Sequence, residues 1–438
     1  MRIKELHLTN FRGFEQLDIV FPNRLAVFIG INGAGKSAVI DAMSLYLMQL
    51  VIGLTRGSLL GTFQDTIDKN IKNGQSASTL TFDLEYKDLT DLNLLMTIKK
   101  DTDFPSSINY TTSLETFFDI IYANKTAKFI NAALNLPVFI HYGSNRANEG
   151  ESQIQLQSRI PLPQFKIYQN AFFHSINNFS DFINWFKEEE DREKDLIIAE
   201  KNFDAKNTNL ETIRRTITTF LQYLNQDTTF SDLKINRHTN TFNDFKANGT
   251  YVLTIKKRGE TFDLSQLSDG EKTILMLVCD IARRLTIANP ILENPLAGEG
   301  IVLIDEIDLH LHPQWQREVV PALLATFSNL QFIVTTHSPQ VLSKVKRESV
   351  FVLEDGKLVK NIPQTYGRNA SAILFEIFGV TDRPTDVQDK INRCSDLLDE
   401  ERYDEAKALL KELTDLLGEQ DEAVIGARTQ LLFDNQTI

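Results

Sequence analysis

The eight residues "GINGAGKS", Gly30 to Ser37, lie between the apolar run "LAVFI" and the helical-looking run "AVIDAMSLYL". Few folds accept a buried strand that ends in a glycine loop and re-enters as a helix. Glycines at 30, 33 and 35 let backbone N–H groups close on phosphate oxygens, Lys36 reaches the terminal phosphates, and the Ser37 hydroxyl is placed for magnesium. Asn32 belongs to the same loop. The complete GxxxxGKS between a strand and a helix points to ATP or GTP bound at the edge of an α/β sheet.

The rest of the chain has to accommodate that loop. With 438 residues, 42% hydrophobic and 24% charged, it can bury a large core in two or more units. No uninterrupted run approaches the eighteen or more apolar residues of a spanning helix, and the start "MRIKELHLTNFRGF" is charged, so a cytoplasmic protein without a membrane partner is expected. Cys279 and Cys394 stand far apart without metal-ligand spacing and read as small buried hydrophobes. A net charge of -13 confines any nucleic-acid contact to a local patch. The run Lys256, Lys257, Arg258 could be such a patch, but a short basic run is more often plain surface.

Texture divides the chain at about 150, 235 and 380. Residues 1–150 read as a first lobe: a hairpin "RIKELHLTNF"/"FEQLDIVF" turning at "RG", the strand before the loop, and further strands at "ASTLTFDLEYKD", "DLNLLMTIKKD" and "LPVFIHYG". Residues 151–235 read as a helical insertion through "FSDFINWFKEEEDREKD" and "NLETIRRTITTFLQYL". Residues 236–380 return to α/β texture with the strands "GIVLIDE", "LQFIVTTHS" and "SVFVLEDG". Residues 381–438 form a charged helical tail whose Ile391, Cys394, Leu398, Leu409, Leu413 and Leu417 are spaced to share apolar faces.

Within the second lobe, "GIVLIDE" ends in adjacent acids, Asp305 and Glu306. Two carboxylates at a buried strand end repel one another unless a cation lies between them, which favours a metal-supporting aspartate and a water-orienting glutamate. Asp308, His310 and His312 follow, and His337 closes "FIVTTHS" at the sheet edge where open α/β folds place ligands. The stretch "LSDGEK" at 267–272 would alone also suit a turn and helix start.

Taken in order, the P-loop, "LSDGE", "LIDE", "DLHLHP" and "TTHS" resemble the ATPase heads of the ABC superfamily, in the branch of SMC and RecF rather than of transporters. The resemblance implies an α/β head with a mixed sheet, made of a P-loop core plus an antiparallel β-subdomain. It further implies that Gly30, Asn32, Gly33, Gly35, Lys36 and Ser37 bind ATP, with Mg2+ on Ser37 and Asp305. Glu306 would polarise the attacking water and His337 would sense the γ-phosphate, making Glu306, Asp305 and His337 the catalytic set. Ser268 and Gly270 would complete the site of a second protomer, in an ATP sandwich. Asp269 departs from the transporter signature, as is common in this branch. Arg12, in "NFRGF", would lie near the nucleotide, and Gln64 is the candidate for the metal-contacting Q-loop glutamine. A solvated loop residue is the plain alternative for Gln64.

The insertion is too short for the coiled coil of a true SMC protein, and no Toprim-like acidic strands follow "VFVLEDGK". The tail, with "TYGRNASAILFEIFGVTDRP", and "HYGSNR" with Arg146, are similar to Septu (PtuA-type) defence ATPases, including those encoded beside retrons. That resemblance implies a bacterial anti-phage complex in which an oligomeric ATPase holds a separate HNH-type nuclease, with retron RNA, its reverse transcriptase or phage DNA as further partners. The alternatives are a RecF-like DNA-repair clamp without a nuclease, and a tail that is merely a helical hairpin packed for stability.

Overall fold

The computed structural model describes residues 1–56, 68–86, 89–100, 107–112, 114, 117–118, 134–143, 163–172, 180–224, 230–238, 250–380 and 383–434. Gln64 and Arg146 lie outside them. Two compact units emerge, Met1–Arg368 and Asn369–Ile438.

The first unit opens with β1 (Arg2–Phe11), β2 (Phe14–Val20), β3 (Leu25–Ile29) and α1 (Lys36–Arg56). It continues through β4 (Ala77–Tyr86), β5 (Leu89–Lys99), β6 (Ser107–Thr112) and β7 (Val138–Tyr142). Helices α2 (Ser180–Glu200) and α3 (Thr208–Leu224) precede β8 (Phe230–His238), β9 (Thr250–Lys257) and β10 (Glu260–Asp263). Then come α4 (Asp269–Ala288), β11 (Gly300–Ile304), α5 (Pro313–Thr326), β12 (Leu330–Thr335), the single turn α6 (Pro339–Leu342), β13 (Val350–Glu354) and β14 (Lys357–Leu358).

Burial periodicity explains the sheets. Every residue of β3, β7, β11 and β12 is buried, as parallel strands covered on both faces require. They pair in the order β14-β13-β3-β12-β11-β7, all parallel except the terminal hairpin of β13 and β14. Strand β4 instead buries every second residue, the mark of a sheet with one face on the core. It lies in the antiparallel sheet β2-β1-β4-β5-β6, where Phe11 faces Phe14 across the hairpin read at "RG". A third sheet, the antiparallel β10-β9-β8, precedes α4. This is the mixed α/β fold with an antiparallel β-subdomain that the family resemblance implies.

Helix α1 is apolar nearly all round because it lies between two sheets: Tyr46 stacks on Phe82 of β4 with ring centroids 4.0 Å apart, while Val39, Ile40 and Met43 are fully buried. Among the described residues it is the one helix long and apolar enough to cross a membrane, and 78% of that window is buried within the protein. Asp41, Ser44 and Gln49 punctuate it, so no uninterrupted apolar run marks it in the sequence.

The second unit holds α7 (Ala370–Phe378), α8 (Thr385–Asp399), α9 (Tyr403–Leu417) and α10 (Glu422–Asp434). Its own core gathers Cys394, Leu398 and Leu413, with Ile391, Leu409 and Leu417 packed against them, so all six tail residues picked by spacing meet. The unit begins at Asn369, earlier than the 381 drawn from composition, because Asn369 caps α7 by accepting from the Ala372 N–H and Gly379 ends it in the left-handed region. Both cysteines are buried, and burial pushes their thiols up.

Candidate nucleotide site

Because β3, β11 and β12 run parallel and in register, with Ile304 opposite Val334 and Thr335 opposite Phe28, their carboxyl ends converge on one edge. The P-loop leaves β3 there. Gly30, Gly33 and Gly35 take φ of 150°, 82° and 103°, conformations that cost a side-chain-bearing residue strain. At Gly35 a Cβ would also lie 2.5 Å from the Phe14 ring, so the hairpin of β1 and β2 props the loop from behind. Asn32 is exposed on the loop. Lys36 turns back on the loop, its Nζ donating to the carbonyls of Gly30 at 2.9 Å and Ile31 at 3.0 Å. Burial lowers its pKa, and the nearby Asp305, Glu306 and Asp308 only partly offset this.

Ser37 Oγ donates to Asp305 Oδ2 at 3.0 Å. Thr335, at the end of β12, donates its hydroxyl to Asp305 Oδ1 and accepts from the Glu306 N–H at 2.7 Å. One buried threonine thus fixes both strand-end acids, and Glu306 adopts a φ of 51° beside it. The next strand-end residue is tied similarly: Thr336 Oγ1 donates to Asp308 Oδ1, which also lies 3.4 Å from the donating His337 N–H. His337 is half-buried at the same edge. His312 has a local task, with Nδ1 accepting from the Gln314 N–H at 3.3 Å to cap α5.

Arg12 sits at a φ of 49° in the β1–β2 turn and donates to Asp41, one turn past Ser37 on α1, and through Nε to Asn70 at 2.9 Å. It is therefore anchored to the P-loop helix. Ser268 and Glu271 form a capping box at the start of α4: the Ser268 N–H and hydroxyl each donate to Glu271 at 3.0 Å, and Ser268 Oγ accepts from the Glu271 N–H. Gly270 is buried, and a Cβ there would lie 2.5 Å from the His310 carbonyl oxygen. Lys256 and Lys257 pair with Asp232 at 2.9 Å and Glu271 at 2.6 Å, so two members of this basic run are neutralised by acids of the same chain, while Arg258 is exposed.

Sequence reasoning missed Thr335, Asp41 and the partners of Asp308. Thr335 stood in the quoted "TTHS", but its role depends on a strand pairing that no local signal reveals.

The donor set suits magnesium. Ser37 Oγ and Asp305 Oδ2 set a hydroxyl and a carboxylate oxygen side by side, the hard oxygen donors that magnesium takes. Residues 25–343 match the family model described as "AAA domain, putative AbiEii toxin, Type IV TA system". The chain belongs to this family. It is 30% identical to the "Retron Ec83 probable ATPase" of Escherichia coli over 98% of this chain and 86% of that one. It is also 34% identical to the Septu protein PtuA of Bacillus mycoides (strain KBAB4), over 39% of this chain and 24% of that protein. Among solved structures, an SMC head bound to the C-winged helix domain of ScpA is similar with a TM-score of 0.47 at 15% identity, covering 82% of this chain and 98% of that one. This AAA-family chain is thus a relative of the retron probable ATPase and is similar over part of its length to the Septu protein PtuA.

Proposed function

We propose that this chain is the ATP-binding and ATP-hydrolysing subunit of a bacterial anti-phage defence complex, in which it oligomerises and regulates a separate HNH-type nuclease. The observation that carries the ATPase part is the join of Ser37 to Asp305 at 3.0 Å, which sets a P-loop hydroxyl and a buried strand-end carboxylate on one prospective metal. Lys36 and the loop amides bind the phosphates. Ser37 and Asp305 would hold Mg2+, which when bound would neutralise charge on the phosphate oxygens. Glu306, its backbone fixed by Thr335, orients the attacking water, and His337 meets the γ-phosphate. Ser268 and Gly270 complete the site of a second protomer, so ATP closes a dimer. Gln64 stays a candidate metal contact and Arg12 a candidate nucleotide contact.

The defence part rests on the likeness to the retron ATPase over nearly the whole chain, together with the partial likeness to PtuA. Purification of the chain from its native operon, beside Lys36→Ala, tests it by the mass of the complex. A nuclease-like second chain travelling with an oligomer supports the reading. A chain that travels alone and binds DNA only with ATP supports a RecF-like clamp instead.

A further inference from the structure

The helix that begins with the signature, α4, is tied back to the nucleotide site within its own chain. Tyr142 ends β7, opposite Ile304 of β11, and its carbonyl accepts from the Asp305 N–H at 2.8 Å. Its hydroxyl donates to Asp280 Oδ2 at 2.9 Å, and Asp280 lies on α4. Asp280 in turn accepts from Arg283 at 2.7 Å and from Arg284 at 2.7 Å, and Arg284 donates on to the carbonyls of Ile167 and Gln169. Burial works against the charge on Asp280, but Arg284 and Arg283 outweigh it and hold the carboxyl well below the usual range. The Tyr142 hydroxyl thus donates to a carboxylate that two guanidiniums already pair, a charge-assisted hydrogen bond.

Asp280 stands eleven residues from Asp269, about 16 Å along a rigid helix. At the near end of that helix, Gly270 rests on the carbonyl of His310. The segment Asp305–His310 therefore touches α4 at two places, through Tyr142 at one end and directly at the other. We propose that Tyr142 is a positioning residue which, with Asp280, couples the Asp305 strand end to the signature helix, so that nucleotide bound at Asp305 sets the pose of Ser268. This rests on the reading that Ser268 serves hydrolysis at a partner's ATP.

Tyr142→Phe removes the hydroxyl and leaves the ring and strand in place. The full chain, its Tyr142→Phe variant and a Ser268→Arg variant are compared for binding of a fluorescent ATP analogue, for ATPase kcat and KM, and for melting temperature, with kinetics well below the melting range. The expected result is a Tyr142→Phe protein with analogue affinity and KM within about twofold of the parent, kcat about tenfold lower, and an inactive Ser268→Arg. A kcat within twofold of the parent while Ser268→Arg is inactive overturns the coupling and reduces the bond to a structural one. Joint loss of analogue binding and kcat in Tyr142→Phe overturns it too, as damage to the whole site. Normal hydrolysis by Ser268→Arg overturns the reading beneath it as well.

Discussion

The Ser37 hydroxyl donates to Asp305 Oδ2 at 3.0 Å, joining residues 268 positions apart at the edge of one parallel sheet. If that pair is the magnesium seat, Asp305→Asn weakens nucleotide binding by about tenfold or more in Mg2+, since a charged partner is replaced by a neutral one. Binding in EDTA changes little. Titration with a fluorescent ATP analogue under both conditions checks this, and equal losses in the two would remove Asp305 from the metal.

Thr335 is fully buried and serves Asp305 and the Glu306 N–H at once. Thr335→Val keeps the shape but removes the donor to Asp305 Oδ1 and the acceptor of the Glu306 N–H, which costs about 1–3 kcal/mol. Urea unfolding reads the stability, and ATPase kcat should fall by at least tenfold as the acids lose their bracing. Thr335→Ser should retain most of both.

Gly270→Ala places a methyl 2.5 Å from a backbone oxygen, so helix or loop must shift. Overpacking of this kind costs about 1–3 kcal/mol. A lowered melting temperature in the isolated protein is expected before any partner is added. An unchanged melting temperature would mean that the His310 loop yields freely.

Much of this site could be read from the sequence because its parts are local. The P-loop needs glycines, lysine and serine close together in the chain, and the strand-end acids follow an unbroken apolar run; outside the site, helical spacing alone picks out the six apolar residues that meet in the core of the second unit. What escaped depends on chain segments meeting in space. Thr335 braces Asp305 only because β12 pairs with β11, and Arg12 reaches Asp41 only because the β1–β2 turn folds over α1. Gly270 was read only as completing the site of a second protomer, and nothing in "LSDGEK" hints at the His310 carbonyl beneath it. The boundary at Asn369 was missed because "NASAILFEIF" has the same texture as the lobe before it.

His7, on the solvent face of β1, offers a pH signature remote from the nucleotide. A hydrogen bond to Asp18 at 2.7 Å raises its pKa, and Glu5 at 3.4 Å adds to this. Because the folded value lies above the unfolded one near 6.5, the added stability is complete below that pH and is lost as pH rises through the folded value. The side chain is 41% exposed, so screening keeps the effect to about 0.5 kcal/mol or less. His7→Gln should cost more at pH 5.5 than at pH 8.5 in urea titrations, the pH values being chosen to bracket the roughly 6.5 reference. A larger cost at the higher pH would contradict the ion pair.

The central claim is that bound ATP brings the P-loop of one protomer against Ser268 and Gly270 of another. Glu306→Gln, which keeps the site's shape but slows water attack, should hold ATP and trap that state. The most direct test is the solution mass of Glu306→Gln by light scattering, with and without Mg-ATP, beside the double variant Lys36→Ala, Glu306→Gln. The account predicts that Mg-ATP doubles the mass of the basic assembly only when Lys36 is present. An unchanged mass, at ATP concentrations where the nucleotide is shown to be bound, would contradict it.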